Sequence, residues 1–145
     1  AVNLVLPRFT DPQSKIPPNG ETWCGFNFST LSRPGTPANV QVSEEQSEQW
    51  LWESIQVLFC FYGPGGSGMA TRFRDGMFVD QNADTLRRIS GLSLVNADDI
   101  RNLPELINNQ WVRRYDLAVT LSRKNTRTYN VKSVVDPNVT IVTGD

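Results

Sequence analysis

Gln49-Trp-Leu-Trp-Glu-Ser-Ile-Gln-Val-Leu-Phe-Cys-Phe-Tyr62 decides the fold. Leu51, Ile55, Val57, Phe59 and Phe61 recur at every second position, with Glu53 the one interruption. Trp50, Trp52, Leu58, Cys60 and Tyr62 fall on the opposite face, with Ser54 and Gln56 between them. A period of two is the signature of a strand, and β-branched and aromatic residues fit a pleated surface. At about 3.3 Å per residue such a strand runs roughly 40 Å or more, long for a small domain. A strand with one face in water alternates apolar with polar residues; this one is apolar on both faces, so both need a cover.

Outward from that strand, Thr22-Trp-Cys-Gly-Phe-Asn-Phe-Ser29 reads as a second strand, ended by the loop Arg33-Pro-Gly-Thr-Pro37. Gly63-Pro-Gly-Gly-Ser-Gly68 breaks the long strand. A helix is expected from Ser67, with Ala70, Phe73 and Met77 on one side, and a second over Gln81 to Ile89, stopped at Ser90-Gly91. Leu92 to Val95 is a short strand, and Asp98 is expected to cap a helical turn. A second long strand is expected over Gln110 to Leu121, with a polar hairpin tip at Ser122 to Thr126, a return through Arg127 to Val131, and a last short strand at Val139 to Val142. The order is α+β: a mostly antiparallel sheet with long β-hairpins and two mid-chain helices packed on one face.

Residues 1–21 form an extended, Pro-rich arm, and residues 22–145 a single α+β domain. Pro7, Pro12, Pro17 and Pro18 remove backbone donors, so neither a helix nor a central strand survives in the arm. Its apolar residues Leu4, Leu6, Phe9 and Ile16 are candidates for docking on a neighbouring molecule.

The chain has 145 residues, 14 Lys+Arg, 15 Asp+Glu and no His, for a net charge of -1. Without His, a His-based triad, a His zinc site and a His general base are excluded from this chain alone. Near-zero charge argues against a dedicated nucleic-acid binder, and no apolar run approaches a membrane span. Cys24 and Cys60 are too few for a disulfide scaffold or a four-thiolate zinc site, and are expected to be reduced core thiols. No cofactor and no metal is expected.

Gly63-Pro-Gly65-Gly-Ser-Gly68 matches a dinucleotide fingerprint in letters and spaces Gly63 and Gly68 as a phosphate loop does. The chemistry is missing: Met69 and Ala70 stand where a phosphate loop needs Lys and Ser or Thr. A nucleotide-binding enzyme using this loop remains an alternative reading; a turn off the long strand is the simpler one. Asp98-Asp99 and Glu44-Glu45 are sequence neighbours, which point apart rather than converge as paired catalytic carboxylates do.

Charge is uneven along the chain. Residues 41–60 hold Glu44, Glu45, Glu48 and Glu53 without a basic residue; residues 110–132 hold Arg113, Arg114, Arg123, Lys124, Arg127 and Lys132 against Asp116 alone. These are either two solvated faces or complementary subunit edges, an acidic surface on one copy meeting a basic surface on the next and fixing register in a head-to-tail ring. The candidate intersubunit residues are therefore Trp50, Trp52, Glu53, Trp111, Arg113, Arg114, Arg123, Lys124 and Arg127.

Four pieces, in this order and spacing, resemble the neck or tail-terminator family of tailed bacteriophages: Trp52-Glu-Ser-Ile-Gln-Val-Leu-Phe-Cys-Phe-Tyr-Gly-Pro64, Ala70-Thr-Arg-Phe-Arg-Asp-Gly76, Ala97-Asp-Asp-Ile-Arg-Asn-Leu-Pro-Glu-Leu-Ile-Asn108 and Gln110-Trp-Val-Arg-Arg-Tyr-Asp-Leu117. The likeness spans about Gln49 to Val131 and leaves residues 1–40 and the tail after Pro137 uncovered. It implies a structural virion protein with no catalytic residues. It further implies a homo-oligomeric ring of six copies at the head-proximal end of the tail, contacting the tail tube protein and head connector and leaving a channel for DNA. A head-completion or tail-adaptor ring at another neck position is the alternative within that class. Low net charge suits such a conduit, since a strongly basic lumen would retain the genome.

Overall fold

The computed structural model describes residues 5–12, 14–33 and 35–130. Nine strands and two helices occur among them: β1 Val5–Pro7, β2 Trp23–Ser32, β3 Ala38–Gln41, β4 Ser47–Tyr62, α1 Gly66–Met77, α2 Asp80–Ser90, β5 Ser93–Ala97, β6 Arg101–Asn102, β7 Glu105–Ile107, β8 Gln110–Val112 and β9 Arg114–Tyr129. The main sheet runs β1-β2-β4-β9-β5, with β3 beside β4 and β6 beside β9. All its pairings are antiparallel except β1 on β2. The fold is α+β, as expected.

The quoted stretch is the spine. β4 is 16 residues long and pairs along its whole length with β9, from Ser47 opposite Tyr129 to Tyr62 opposite Arg114. On one face, Ile55, Val57, Phe61, Leu117, Val119 and Leu121 build the main core, onto which Phe73 and Met77 of α1 and Leu86 of α2 pack. Phe73 sits between Phe59 and Phe61, with ring centroids 4.7 and 5.7 Å away. On the other face Trp23, Cys60 and Tyr62 form a second cluster, closed by Leu6 and Ile16 of the arm and Ile107 and Val112 of the β7–β8 hairpin. The two covers demanded by the sequence are thus helices on one side and arm plus hairpin on the other.

Local signals explain the joints. Gly63 takes φ +93°, and a Cβ there would collide with the Glu21 carbonyl. Gly91 takes φ 73° and closes α2 by donating its N–H to the Arg87 carbonyl at 2.8 Å.

Three expectations are corrected. Ser122 to Thr126 is no hairpin tip: β9 continues straight to Tyr129, because the equally long β4 offers a partner at every position and Arg123 has an acid opposite it. The Gln110–Leu121 strand is divided at Arg113, since Asn108 and Asn109 (φ 51° and 61°) make a tight turn that pairs β8 with β7 instead. Asp98 caps no helix; its N–H donates to the Ala118 carbonyl at 2.9 Å and the chain continues into β6. The β3 segment, to which the sequence pattern assigns no element, pairs with Ser47–Trp50. The expected strand at Val139 to Val142 lies outside the described residues.

Candidate assembly surfaces

Beyond Ser54 the sheet loses its helices and narrows. β2 reaches β4 only as far as Ser32 opposite Ser54, and β5 reaches β9 only as far as Ser93 opposite Ser122. Past that level only β3, β4 and the end of β9 remain, a three-stranded ribbon. From Ser47 to Glu53 it extends about 20 Å at ~3.3 Å per residue.

Glu53 lies at the ribbon's base, 3% exposed. Its Oε2 accepts from Arg123 Nε at 2.8 Å, its Oε1 accepts from Asn125 Nδ2 at 3.0 Å, and Arg33 Nε lies 3.0 Å from Oε1. The hydrogen bonds from Asn125 and Arg123, with the arginine charges, outweigh burial and hold this carboxyl below its ordinary range. Glu53 is thus engaged inside its own chain, and its place among the surface contacts is corrected: the residue directly across the ladder from it is Arg123.

On the ribbon's opposite face Trp50 and Trp52 meet edge to face at 6.3 Å. Lys124 Nζ stands 3.2 Å from the centroid of the Trp50 ring, and Trp50 Nε1 donates to Glu48 Oε2 at 2.8 Å. Trp52 stays 52% exposed. Lys124 is exposed as well, and Arg127 is exposed on the Glu53 face of the ribbon.

The hairpin carries the second aromatic surface. Leu106 pairs with Trp111 across it. Both point away from the core, and Trp111 is 74% exposed. Arg113 is exposed beside them. Arg114 is not a surface group: it grips Asp116 with two bonds of 2.7 and 2.9 Å and lies 3.5 Å from Glu105 Oε2. Glu105 Oε1 in turn accepts from Arg8 at 3.1 Å, and Arg8 Nε donates to the Tyr62 hydroxyl at 3.2 Å. This network of two arginines and two carboxylates ties arm, hairpin and β9 together.

Of the arm residues, Leu6 and Ile16 are spent on the chain's own second cluster, and Phe9 is half exposed between the guanidiniums of Arg8 and Arg114, 5.2 and 5.8 Å from its centroid. Leu4 lies outside the described residues. Sequence reading missed Arg8, Arg33 and Glu105, whose partners are 97, 20 and 97 positions away and are set only by strand register. It also missed the open edge of β2: Phe28 and Leu31, 70% and 56% exposed, flank a stretch that β1 does not reach.

The sequence's phosphate-loop likeness does not form a phosphate cradle among the described residues. In the Gly63–Gly68 loop the amides a phosphate would need are turned inward: Gly65 N–H donates to Thr22 Oγ1 at 2.9 Å and Gly66 N–H to the Gly63 carbonyl at 3.1 Å. No group of acids and cysteines able to hold a metal occurs among the described residues. Cys24 and Cys60 are free and buried, in opposite clusters, and burial pushes both thiols up to about 12. No described helix is long and apolar enough to cross a membrane.

A long ribbon and exposed aromatics fit the comparison with known families, in which residues 1–145 match the phage neck terminator proteins. The chain belongs to that family. The match extends the likeness seen in sequence to the arm and the C-terminal tail. A neck terminator is a structural protein of the virion, located at the neck and working against other tail and head proteins. No curated protein matches the chain.

Proposed function

We propose that this neck terminator acts as a homo-oligomeric ring of six copies that caps the tail tube and joins it to the head connector, leaving a channel through which DNA passes without sequence-specific contact. The ribbon supports this reading most directly. A three-stranded projection with half-exposed Trp52 at its side has no cover among the described residues, and such surfaces mark sites of association. Trp50, Trp52, Lys124 and Arg127 meet the next copy on the ribbon, Trp111 and Arg113 on the hairpin; Arg123 contributes from the ribbon's base. Residues 1–21 act as an arm clamped to the domain of residues 22–145, with Phe9 offered to the tube or connector.

Native mass spectrometry and negative-stain imaging of the full chain test the proposal. Six-fold rings are the expected result. A monomer at micromolar concentration, in the presence and absence of tube protein, overturns it, and twelve-fold rings move the chain to a connector-side adaptor. Trp52→Ala with Trp111→Ala abolishes rings while leaving the monomer's circular dichroism unchanged, because both rings are mostly in water.

A further inference from the structure

We propose that Arg33 and Arg123, held from behind by Glu53, form a carboxylate-binding seat that is filled by Glu44 and Glu45 from the β3–β4 turn of the neighbouring copy. The inference rests on the ring reading above and names the contact that sets its register.

The seat is unbalanced in charge. Two guanidiniums face one carboxylate, each presenting its Nε to Glu53 at 3.0 and 2.8 Å. Their terminal amines are left over, and no second acid pairs with either arginine among the described residues. The two side chains are 39% and 47% exposed, whereas the carboxylate that orients them is 3% exposed. A guanidinium already fixed by a buried anion loses little further freedom when it takes a second one, and its planar fork matches a carboxylate. Arg127, exposed on the same face two positions beyond Asn125, adds to the positive field.

The acids are displayed on the same ribbon. Val42 and Ser43 donate backbone N–H groups to the Gln46 carbonyl, and Ser43 Oγ accepts from the Glu45 and Gln46 amides at 3.4 and 3.1 Å. The turn is therefore formed, with Glu44 and Glu45 exposed and without a cation among the described residues. Their own seat is out of reach, because the stretch of β4 from Ser47 to Glu53 separates them by about 20 Å of paired strand. The acid and the seat can meet only between copies, tip of one ribbon to base of the next. That contact is head-to-tail, the kind that closes into a ring.

Two variants of the full chain test it. Glu44→Arg with Glu45→Arg alters only the exposed turn; it is expected to shift ring mass to the 16.3 kDa monomer with unchanged circular dichroism. Glu45→Cys with Arg33→Cys, which places the second thiol in the seat itself, is expected under mild oxidation to give a ladder of covalent multimers on a non-reducing gel. Cys24 and Cys60 are buried and do not compete. Charge-reversed rings of unchanged mass, or a cysteine pair that yields no ladder, overturn the seat while leaving the ring intact. A wild-type chain that forms no ring removes the function proposed above instead.

Discussion

Replacing Glu53 by Gln isolates the charge of the most buried acid on the ribbon. The carboxylate takes bonds from Asn125 and Arg123 and an ion pair from Arg33, all within 3.0 Å. Bonds involving a charged group contribute about 1.5–3 kcal/mol each, and breaking a fully buried ion pair costs about 3–5 kcal/mol. An exposed pair is worth only about 0–1 kcal/mol. Here the acid is 3% exposed but its arginines are 39% and 47% exposed, so they regain water when the charge is removed. The amide also keeps one acceptor oxygen. The expected loss is therefore intermediate, about 2–3 kcal/mol, or roughly 6–12 °C in melting temperature for a domain of this size. Urea unfolding at pH 7 and one fixed protein concentration measures it. The folded carboxyl binds its proton less readily than the unfolded one, so its stabilisation is present above about pH 4.3 and fades as pH falls through the lower folded value. The gap between wild type and Glu53→Gln should narrow accordingly below about pH 4. A loss under about 0.5 kcal/mol, or a gap that is the same at pH 7 and pH 3, refutes the role assigned to Glu53.

Gly63→Ala should destabilise by more than about 2 kcal/mol in the same unfolding assay, since φ +93° and the Glu21 carbonyl leave no room for a methyl group. Tyr62→Phe removes the hydroxyl that accepts from buried Arg8, with an expected cost of about 1–2 kcal/mol and faster trypsin cleavage in the arm; equal cleavage rates would show that the arm is held elsewhere. Cys24 and Cys60 should label with a maleimide at pH 8 only after unfolding, because burial keeps both as thiols; prompt labelling of the native chain would contradict the packing.

The parts of the fold written as period or punctuation were legible. The alternation from Gln49 to Tyr62 gave β4, and Ser90-Gly91 gave the end of α2. What failed depended on a partner. Ser122 to Thr126 looks like a polar turn because its residues are hydrophilic, yet in register they are useful strand residues: Arg123 lies opposite Glu53 and Lys124 opposite Trp52. Asn108-Asn109 was the missed turn, a pair that tolerates positive φ and ends one strand before another begins. Of the contacts expected at the surface, exposed Trp52, Trp111, Arg113 and Arg127 stand there, whereas Glu53 and Arg114 are turned into their own chain. A sequence states how many charges each segment carries. Only the ladder states which of them meet.

The ionic clusters under the arm and at the ribbon's base differ in one respect that bears on assembly. Under the arm, Arg8 and Arg114 face Glu105 and Asp116, two charges against two. Such a cluster is complete, and it locks arm, hairpin and sheet into one piece without attracting anything further. At the ribbon's base two arginines face Glu53 alone, and the excess charge stays partly in water. For folding Arg33 contributes least of the three partners, because Arg123 and Asn125 each donate a hydrogen bond to one oxygen of the carboxylate and Arg33 adds only a partly solvated ion pair. A subunit that must accept a neighbour in one register gives that second arginine a use. If stability alone explained it, Arg33→Gln would lower the unfolding free energy and leave rings intact. The assembly role requires the reverse: little change in unfolding, since Arg33 is solvated and replaceable, and a clear fall in ring mass.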